Sequence, residues 1–456
     1  MQAEQSPPSV ERLVLPCEDC ERWSRIERVL RRDLEYLADL DAILTEFASG
    51  ITDQRCKFFA TVPGMPTAGE FDFPAFWQFG VPFLVAVALE MPLLFPRTKS
   101  GEPYELPLLL HRVPTETPML TQTVTLTRRQ VACLLAHSFF GSITADARKV
   151  HRQKWAFRAA QLFFLEAVPS ALCFLNYFKL LGQAGIPEGC VTYTRRSFAP
   201  KNMPWAWEGN PTPLCPVTFV DREGIEESPC DTHADFANRF VGGGCLENDF
   251  NMEEILFVVK PELIVAMALT SYMHDEDAVC VAGARQFSRY TGYGATFAFA
   301  GDYSCSAVDL CSPAAARPPA TVVAMDALQG ASRVQFSRGL VLRDLNKARV
   351  AFHGAGSVAT GLWGCGAFGN DPVLKFLQQW AAASDARACV LHYHTFGSKR
   401  GGPLGFLARA FQGGTVGVLV AAVLDAAGGC SGPGAAGAFR ARMEEHARAA
   451  RGGAGG

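Results

Sequence analysis

Hydrophobic positions change their spacing along the chain near residue 185. Over residues 21–47, leucine and isoleucine recur at helical spacing among charged residues, and residues 128–140 and 158–181 repeat that pattern. Further on, short β-branched and aromatic runs alternate with helical segments: CVTYT, PVTFV, AVCVAG, TVVAMDA and ARACVLHYH. We therefore predict an α/β protein, with a predominantly helical domain over residues 21–185 and a mixed sheet flanked by helices over residues 186–427.

The two ends of the chain and its most apolar stretch differ in composition from the two predicted domains. Residues 1–20 and the Gly/Ala/Arg-rich tail at 428–456 carry patterns typical of disorder. Residues 76–96 are apolar enough to suggest a membrane span, but Pro82, Glu90 and Pro92 interrupt them. A buried helix is the better interpretation, and the apolar run at 415–424 is too short to span a bilayer.

Charge and cysteine usage narrow the class of protein. A formal net charge of −3 argues against a general nucleic-acid binder. The fifteen cysteines are scattered and no signal peptide precedes them, which favours reduced thiols in an intracellular protein. Local basic clusters are either solvated faces or sites that attract a polyanion; they comprise Arg148, Lys149, Arg152, Lys154, Arg195, Arg196 and Lys201.

Residues that could bind a metal do not form a convincing ligand set. Cys17 and Cys20 form a CxxC without a second pair at zinc-finger spacing. His392 and His394 alternate on a predicted strand and share a face, but no third ligand is near them in sequence. We expect packing or positioning roles beside Phe396, and we expect neither a metal nor another cofactor.

The segment at residues 235–254, DFANRFVGGGCLENDFNMEE, has the strongest chemical signal. Three consecutive glycines allow close approach of backbone N–H groups to an anion. Asn251 is a candidate N-cap that places Glu253 and Glu254 in the first turn of a helix, where they could act as an acid and a base. The alternative is that the glutamates only complement the helix dipole or close a capping box.

A second glycine-rich turn, GLWGCGAFGN at residues 361–370, runs into Asp371 and Pro372 at a predicted helix start. Such a loop can hold a diphosphate, because its N–H groups and the positive helix end face the same point. Paired with the glycines at 242–244, it would give two anion cradles that face each other. Glycine turns before helices are also common without any ligand.

The triple glycine, the eight residues that follow it and the Glu-Glu pair closely resemble the signature of poly(ADP-ribose) glycohydrolases. Further similar motifs are LTRRQVACLLAHSFF, VTYTRRSF, GIEE, PELIV, RQFSRYTGY, RDLNKARVAF, SVATGLWGCGAFGND and HTFG. They cover residues 71–397 in collinear order. The resemblance implies a macrodomain with a helical accessory domain.

The resemblance also implies roles for individual residues. Ile225 and Glu226 hold adenine, Phe396 stacks on it, and Tyr293 closes over the bound nucleotide. Asp235 and Asn238 shape the site and hold the ribose that will be released, while Phe368 presses the terminal ribose into position. The glycine loops contribute Gly243, Gly244, Gly364, Cys365, Gly366 and Ala367. On sequence alone, the favoured interpretation of Phe368 and Phe396 is that they are core aromatics.

The reaction implied is hydrolysis of ribose–ribose O-glycosidic bonds in poly(ADP-ribose), free or attached to proteins. Glu254 would be the general acid and base, and Glu253 would position hydroxyls of the departing ribose. The expected partners include neither sequence-specific nucleic acid nor a membrane. We expect a monomer in the nucleus or cytoplasm, with a role in the DNA damage response. The alternatives are an ADP-ribose-binding module with little turnover, or a hydrolase of another ADP-ribosyl linkage.

Several positions depart from the family pattern. Met252 stands where the family has Gln, and Leu362 where it has Asn, so two hydrogen-bonding groups are missing near the ligand. Glu247 and Asp249 flank Asn248 in a loop where small residues are usual, and Ser398 replaces an Asp. These changes put substrate affinity in doubt but leave both glutamates in place.

Overall fold

The computed structural model describes most of the chain. The described residues are 12–49, 52–65, 69, 71–114, 117–143, 157–165, 167–199, 207–247, 249–303, 318–330, 334–398 and 403–452. The basic residues Arg148, Lys149, Arg152, Lys154 and Lys201, and the loop residue Asn248, lie outside these ranges.

The N-terminal part is predominantly helical, as predicted. Its α-helices are α1 (Cys20–Leu30), α2 (Asp39–Ala48), α3 (Phe58–Thr61), α4 (Phe73–Ala75), α5 (Val81–Leu89), α6 (Met91–Leu94), α7 (Arg128–Phe140), α8 (Ala160–Phe164) and α9 (Val168–Ala184). Short 3₁₀ turns occur at Pro16–Glu18 and Val62–Gly64, and a π-helical turn spans Phe76–Gly80.

Two of the predicted helices are broken. The continuous helix expected over residues 21–47 ends at Leu30, because the Asp39 carboxylate accepts the N–H groups of Glu35 and Tyr36 at 2.8 and 2.9 Å and stabilises a turn instead. The helix expected over residues 158–181 is α8 and α9, because Pro169 has no N–H to continue a helix from α8 and is tolerated only in the first turn of α9.

The apolar stretch at residues 76–96 forms the π-helical turn, α5 and α6 in succession. Its side chains Phe76, Leu84 and Met91 are buried in the core of the helical part. Among the helices of the described residues, none is long and apolar enough to cross a membrane.

The second part is built on a mixed sheet. The strands are β1 (Met119–Thr127), β2 (Cys190–Phe198), β3 (Val217–Val220), β4 (Thr232–Asp235), β5 (Asp277–Ala282), β6 (Ser288–Thr291), β7 (Ala298–Asp302), β8 (Thr321–Ala324), β9 (Val358–Gly361) and β10 (Leu391–His394). In the described residues, the large sheet has the order β1-β2-β5-β8-β4-β9-β10-β3, and β6 pairs with β7 separately.

Strand direction divides the large sheet into two regions. Strands β8, β4, β9, β10 and β3 are mutually parallel, whereas β1, β2 and β5 pair antiparallel, with β5 also antiparallel to β8. Alternate residues of β5 face opposite sides: Val279 and Val281 join the core shared with the helical part, and Ala278 and Cys280 join a second core. The sheet is therefore covered on both faces.

The remaining helices follow the strands of the sheet. They are α10 (Met252–Val259), α11 (Ala266–Leu269), α12 (Arg338–Ala351), α13 (Pro372–Asp385), α14 (Leu404–Phe411), α15 (Val416–Ala427) and α16 (Ala435–Gly452). Further 3₁₀ turns lie at Ile225–Glu227, Pro261–Val265 and Gly294–Thr296.

The predicted disorder at the chain ends is wrong for the described residues there. The tail contains α16, whose Phe439, Met443 and Ala447 are buried at four-residue spacing, with Phe439 packed 4.9 Å from Phe336 between ring centroids. Its Gly/Ala/Arg composition hid this stripe. At the other end, Leu13 is buried and its N–H donates to Leu106 O at 2.8 Å.

Candidate active site

The predicted site residues gather where parallel strands end. Asp235 is the last residue of β4, Gly361 the last of β9, and Phe396 follows β10 by two residues. Because these strands are parallel neighbours, their carboxyl ends meet at one edge of the sheet. Ligands of open α/β sheets bind in the crevice at this edge.

Glu253 is held by the loop that precedes it. One carboxylate oxygen accepts the Gly242 N–H at 2.6 Å, and the other accepts the Asn238 N–H at 2.7 Å. Burial raises the pKa of Glu253 well above its ordinary value, as do the nearby Asp235 and Glu254 carboxylates, while these two N–H groups oppose the rise. Both oxygens of this glutamate are thus fixed before any substrate binds.

Glu254 is held at one oxygen only. Its Oε1 accepts the Gly244 N–H at 3.2 Å, whereas Oε2 is buried and has no hydrogen-bond partner among the described residues. Burial raises the pKa of Glu254, and the Asp249 carboxylate raises it further. A carboxyl group with one free oxygen and a raised pKa can carry a proton to a reacting atom and take it back.

The helix start differs in detail from the prediction. Asn251 occupies the N-cap position of α10, but its side chain makes no cap hydrogen bond and donates instead to Asp249 at 2.7 Å. The two glutamates therefore begin the helix without an asparagine cap. Their carboxylates accept hydrogen bonds from the glycine loop, so their role is more than to complement the helix dipole.

Residue 243 must be a glycine because the side chains of Glu253 and Glu254 lie close to it, and not because a bound anion needs the space. Its φ of +49° lies in the left-handed region, and a Cβ there would come within 2.1 Å of Glu254 Oε1. The N–H groups of the triple glycine are all engaged: Gly243 N donates to Phe240 O at 3.0 Å, and its two neighbours donate to Glu253 and Glu254. The expectation of an open anion cradle at residues 242–244 is therefore wrong, and substrate contact by Gly243 or Gly244 stays a prediction.

The loop at residues 361–370 does offer open donors. The backbone N–H groups of Gly364, Gly366, Ala367 and Phe368 donate no hydrogen bond within the described part of the chain. The loop itself is fixed, because Asn370 Nδ2 donates to Gly364 O at 3.0 Å and to Leu328 O at 2.8 Å. Four donors of a fixed loop before a helix are therefore available to an anionic ligand.

The base of this loop agrees with the predicted helix start. Asp371 caps α13 by accepting the N–H groups of Val373 and Leu374 at 2.9 and 3.0 Å, and Pro372 occupies the first turn. Cys365 is buried, with its Sγ 3.5 Å from Trp363 O.

Asp235 is fully buried, and in the described part of the chain neither of its carboxylate oxygens has a hydrogen-bond partner. Burial raises the pKa of Asp235 well above its ordinary value, and the Glu254 carboxylate adds to the rise. Three carboxyl groups, those of Asp235, Glu253 and Glu254, thus share a site in which like charges cannot all be ionised.

The expected adenine end contains a buried Ile225 and a half-buried Glu226. Tyr290 Oη donates to Glu226 Oε1 at 2.5 Å. This contact was missed from the sequence, although Tyr290 lies in the same RQFSRYTGY run as Tyr293. Met252, at a position where the family has Gln, packs against the small apolar cluster that contains Ile225.

The aromatic residues differ in burial. Tyr293 and Phe396 are 59% and 42% exposed, so a core role is wrong for Phe396. Phe396 also has a left-handed φ of 52°, a strained conformation that clusters at functional sites. Phe368 and Leu362 are half-buried and pack against the second core, which agrees with the core alternative for Phe368.

One group of possible metal ligands occurs in the described residues, and it lies elsewhere: His111, His274 and Glu276. The two imidazole rings are nearly parallel, with centroids 3.9 Å apart and planes 20° apart. Their nitrogen lone pairs therefore run side by side instead of converging on one ion. His394, for which a packing or positioning role beside Phe396 was predicted, has its ring centroid 6.1 Å from that of Phe396, and its Nδ1 bonds to Glu223 O at 2.8 Å.

The sheet, the open anion loop and the glutamate pair define a macrodomain joined to a helical region. Residues 205–401 match the family model described as poly(ADP-ribose) glycohydrolase, macro domain fold, and residues 72–195 match its helical domain. The chain belongs to the poly(ADP-ribose) glycohydrolase family.

Curated relatives agree with this assignment. A probable poly(ADP-ribose) glycohydrolase 2 of Arabidopsis thaliana is 30% identical over 278 residues, covering 49% of this chain and 52% of the relative. Poly(ADP-ribose) glycohydrolase 1 of the same plant is 28% identical over 354 residues, covering 60% and 64%. Poly(ADP-ribose) glycohydrolase 1 of Caenorhabditis elegans is 30% identical over 295 residues, covering 60% and 36%. The chain thus spans between about a third and two thirds of these relatives.

Proposed function

We propose that this chain hydrolyses the ribose–ribose O-glycosidic bonds of poly(ADP-ribose), with Glu254 as the general acid and base. The observation that carries the proposal is the unequal treatment of the two glutamates. Glu253 has both oxygens held by backbone N–H groups, whereas Glu254 keeps a buried Oε2 that no described residue contacts by a hydrogen bond. The first arrangement suits orientation and the second suits proton transfer.

The raised pKa of Glu254 supports the acid step. Burial in a site with other carboxyl groups favours the protonated form, so the group can donate to the leaving 2′ oxygen as the glycosidic bond breaks. The carboxylate formed can then remove a proton from the water that attacks the oxocarbenium-like carbon. One residue thereby performs both transfers, unlike the usual pair of catalytic carboxylates.

Glu253 is placed to orient the ribose. Each carboxylate oxygen has two lone pairs, so Oε1 and Oε2 can accept ribose hydroxyls while retaining their bonds to Gly242 and Asn238. Burial raises the pKa of Asp235, which favours its protonated form, and in that form it can donate a hydrogen bond to the same sugar.

The remaining substrate groups have matching surfaces along the same sheet edge. The four open N–H groups of residues 364–368 suit the diphosphate. The exposed ring of Phe396 can stack on adenine, whose amino group can donate to Glu226. A diphosphate held beside the reacting ribose would also supply negative charge to the oxocarbenium-like transition state.

The test is Glu254→Gln, with turnover of poly(ADP-ribose) and ADP-ribose affinity measured separately. The amide keeps the shape but cannot exchange the proton, so turnover should fall by about 10²-fold to 10⁴-fold while the Kd for ADP-ribose changes little. Glu247→Gln, on the preceding loop, is the matched control and should retain activity. Substantial turnover by Glu254→Gln would reject the assignment, and a wild-type chain that binds ADP-ribose without releasing products would be a binding module.

A further inference from the structure

The C-terminal helix α16 places a cation beside the base of the open anion loop. Arg440 is on α16, beyond residue 401 where the match to the macro domain model ends. Its guanidinium donates to Asp371 Oδ2 from Nη2 at 2.6 Å and from Nε at 2.9 Å. The Asp371 side chain is 1% exposed, whereas that of Arg440 is 45% exposed.

Asp371 creates an electrostatic difficulty for an anion at this loop. Its Oδ1 satisfies two N–H groups at the start of α13, which stabilises the helix but places a negative charge at the positive helix end. The four open donors begin only seven residues earlier in the chain, at Gly364. A diphosphate bound there would be repelled by an unpaired Asp371 carboxylate, whose charge is poorly screened because that side chain is buried.

The pairing is fixed from both sides. Gln335 Oε1 accepts the Asp371 N–H at 2.6 Å, so the backbone of Asp371 cannot turn its carboxylate away from the loop without breaking this bond. Phe439, adjacent to Arg440, is buried against Phe336 and anchors α16. Helix α16 therefore places Arg440 against one carboxylate oxygen of Asp371, while the other oxygen caps the start of α13.

We propose that Arg440 is a positioning residue for diphosphate binding: it neutralises the Asp371 carboxylate and lets the N–H groups of residues 364–368 donate to a doubly charged ligand. The inference rests on the proposed function, because it takes ADP-ribose as the ligand of this loop. It extends the site to a helix outside the part of the chain that carries the family signature.

A double-mutant cycle with Asp371→Asn tests the proposal. Asparagine retains a cap oxygen but removes the charge. Arg440→Met should weaken ADP-ribose binding by about threefold to tenfold, the range expected for a charge at a helix terminus. Asp371→Asn should bind at least as tightly as wild type, and the double variant should bind like Asp371→Asn alone. Arg440→Lys should largely restore the affinity, and the loss in Arg440→Met should shrink as salt is raised.

Two controls separate electrostatics from folding. Arg442→Met, on the same helix but bonded to Gly428 O, should leave ADP-ribose binding unchanged. Adenosine, which has no diphosphate, should bind equally to all variants. If Arg440→Met lowers only the melting temperature, or weakens ADP-ribose binding equally in the Asp371→Asn background, the inference is wrong. If wild type itself fails to bind ADP-ribose, the proposed function fails instead.

Discussion

Alanine at position 243 would put a methyl group against the proposed acid and base. The Cβ would lie 2.1 Å from Glu254 Oε1 and 2.9 Å from Glu253 Oε2, and real Cβ atoms essentially never approach closer than 3.0 Å. Since a carboxylate is the movable end of a flexible side chain, Glu254 should shift by about 1 Å. A misplacement of about 1 Å costs roughly 10²-fold in rate.

The same substitution also has a backbone cost, which must be separated from the displacement of Glu254. At φ +49°, an alanine should lower the free energy of unfolding by about 1–2 kcal/mol. Gly354→Ala is the matched control, because Gly354 has φ +77° and no heavy atom of the described residues lies within 4 Å of the position that a Cβ would take. It should show a similar loss of stability with unchanged turnover.

The assay is the initial rate of ADP-ribose release from poly(ADP-ribose), with thermal unfolding of each variant measured in the same buffer. We expect Gly243→Ala to be about 10²-fold slower than wild type at temperatures where it is fully folded. If Gly243→Ala and Gly354→Ala lose equal stability and both keep near wild-type rates, the glycine does not position Glu254 and the reasoning fails.

Three further predictions concern charge and base recognition. Asp249→Asn should lower the pKa of Glu254 and move the alkaline fall of the rate to lower pH, since Asp249 raises that pKa; an unmoved profile would contradict this. Asp235→Asn should unfold at a higher temperature than wild type. The raised pKa of Asp235 makes the free energy of unfolding of wild type decline by up to about 1.4 kcal/mol per pH unit above the ordinary aspartate range. A difference in melting temperature that does not grow with pH would oppose this prediction. Phe396→Ala should weaken ADP-ribose binding by about 1–3 kcal/mol in calorimetry, and equal affinity of wild type for GDP-ribose would reject adenine recognition there.

The sequence was sufficient to predict those features of the fold that depend on residues close together along the chain. The helical first part, the alternating second part and the start of α13 at Asp371 and Pro372 all depend on nearby residues. The breaks between α1 and α2 and between α8 and α9 were missed, because apolar spacing continues across turns that a side chain or a proline imposes.

The site was predictable as a set of residues but not as a set of bonds. The glycines at 242–244 and the pair Glu253 and Glu254 were recognised, yet the triple glycine was expected to bind an anionic ligand. In the structure its N–H groups hold the protein's own carboxylates. Both uses need the same residues, so only the fold distinguishes them. Arg440 carried no local signal, because its partner lies 69 positions away.

Strand β1 ties the helical region to the macrodomain more closely than a boundary near residue 185 implies. It belongs to the predominantly helical segment, yet it pairs with β2 over nine residues, from Met119 opposite Phe198 to Thr127 opposite Cys190. A fragment that starts at residue 186 would leave β2 as a bare edge, which invites pairing with other chains. The macrodomain of this chain therefore cannot be moved into another protein as residues 186–427 alone. A fusion protein that is to stay monodisperse must include β1.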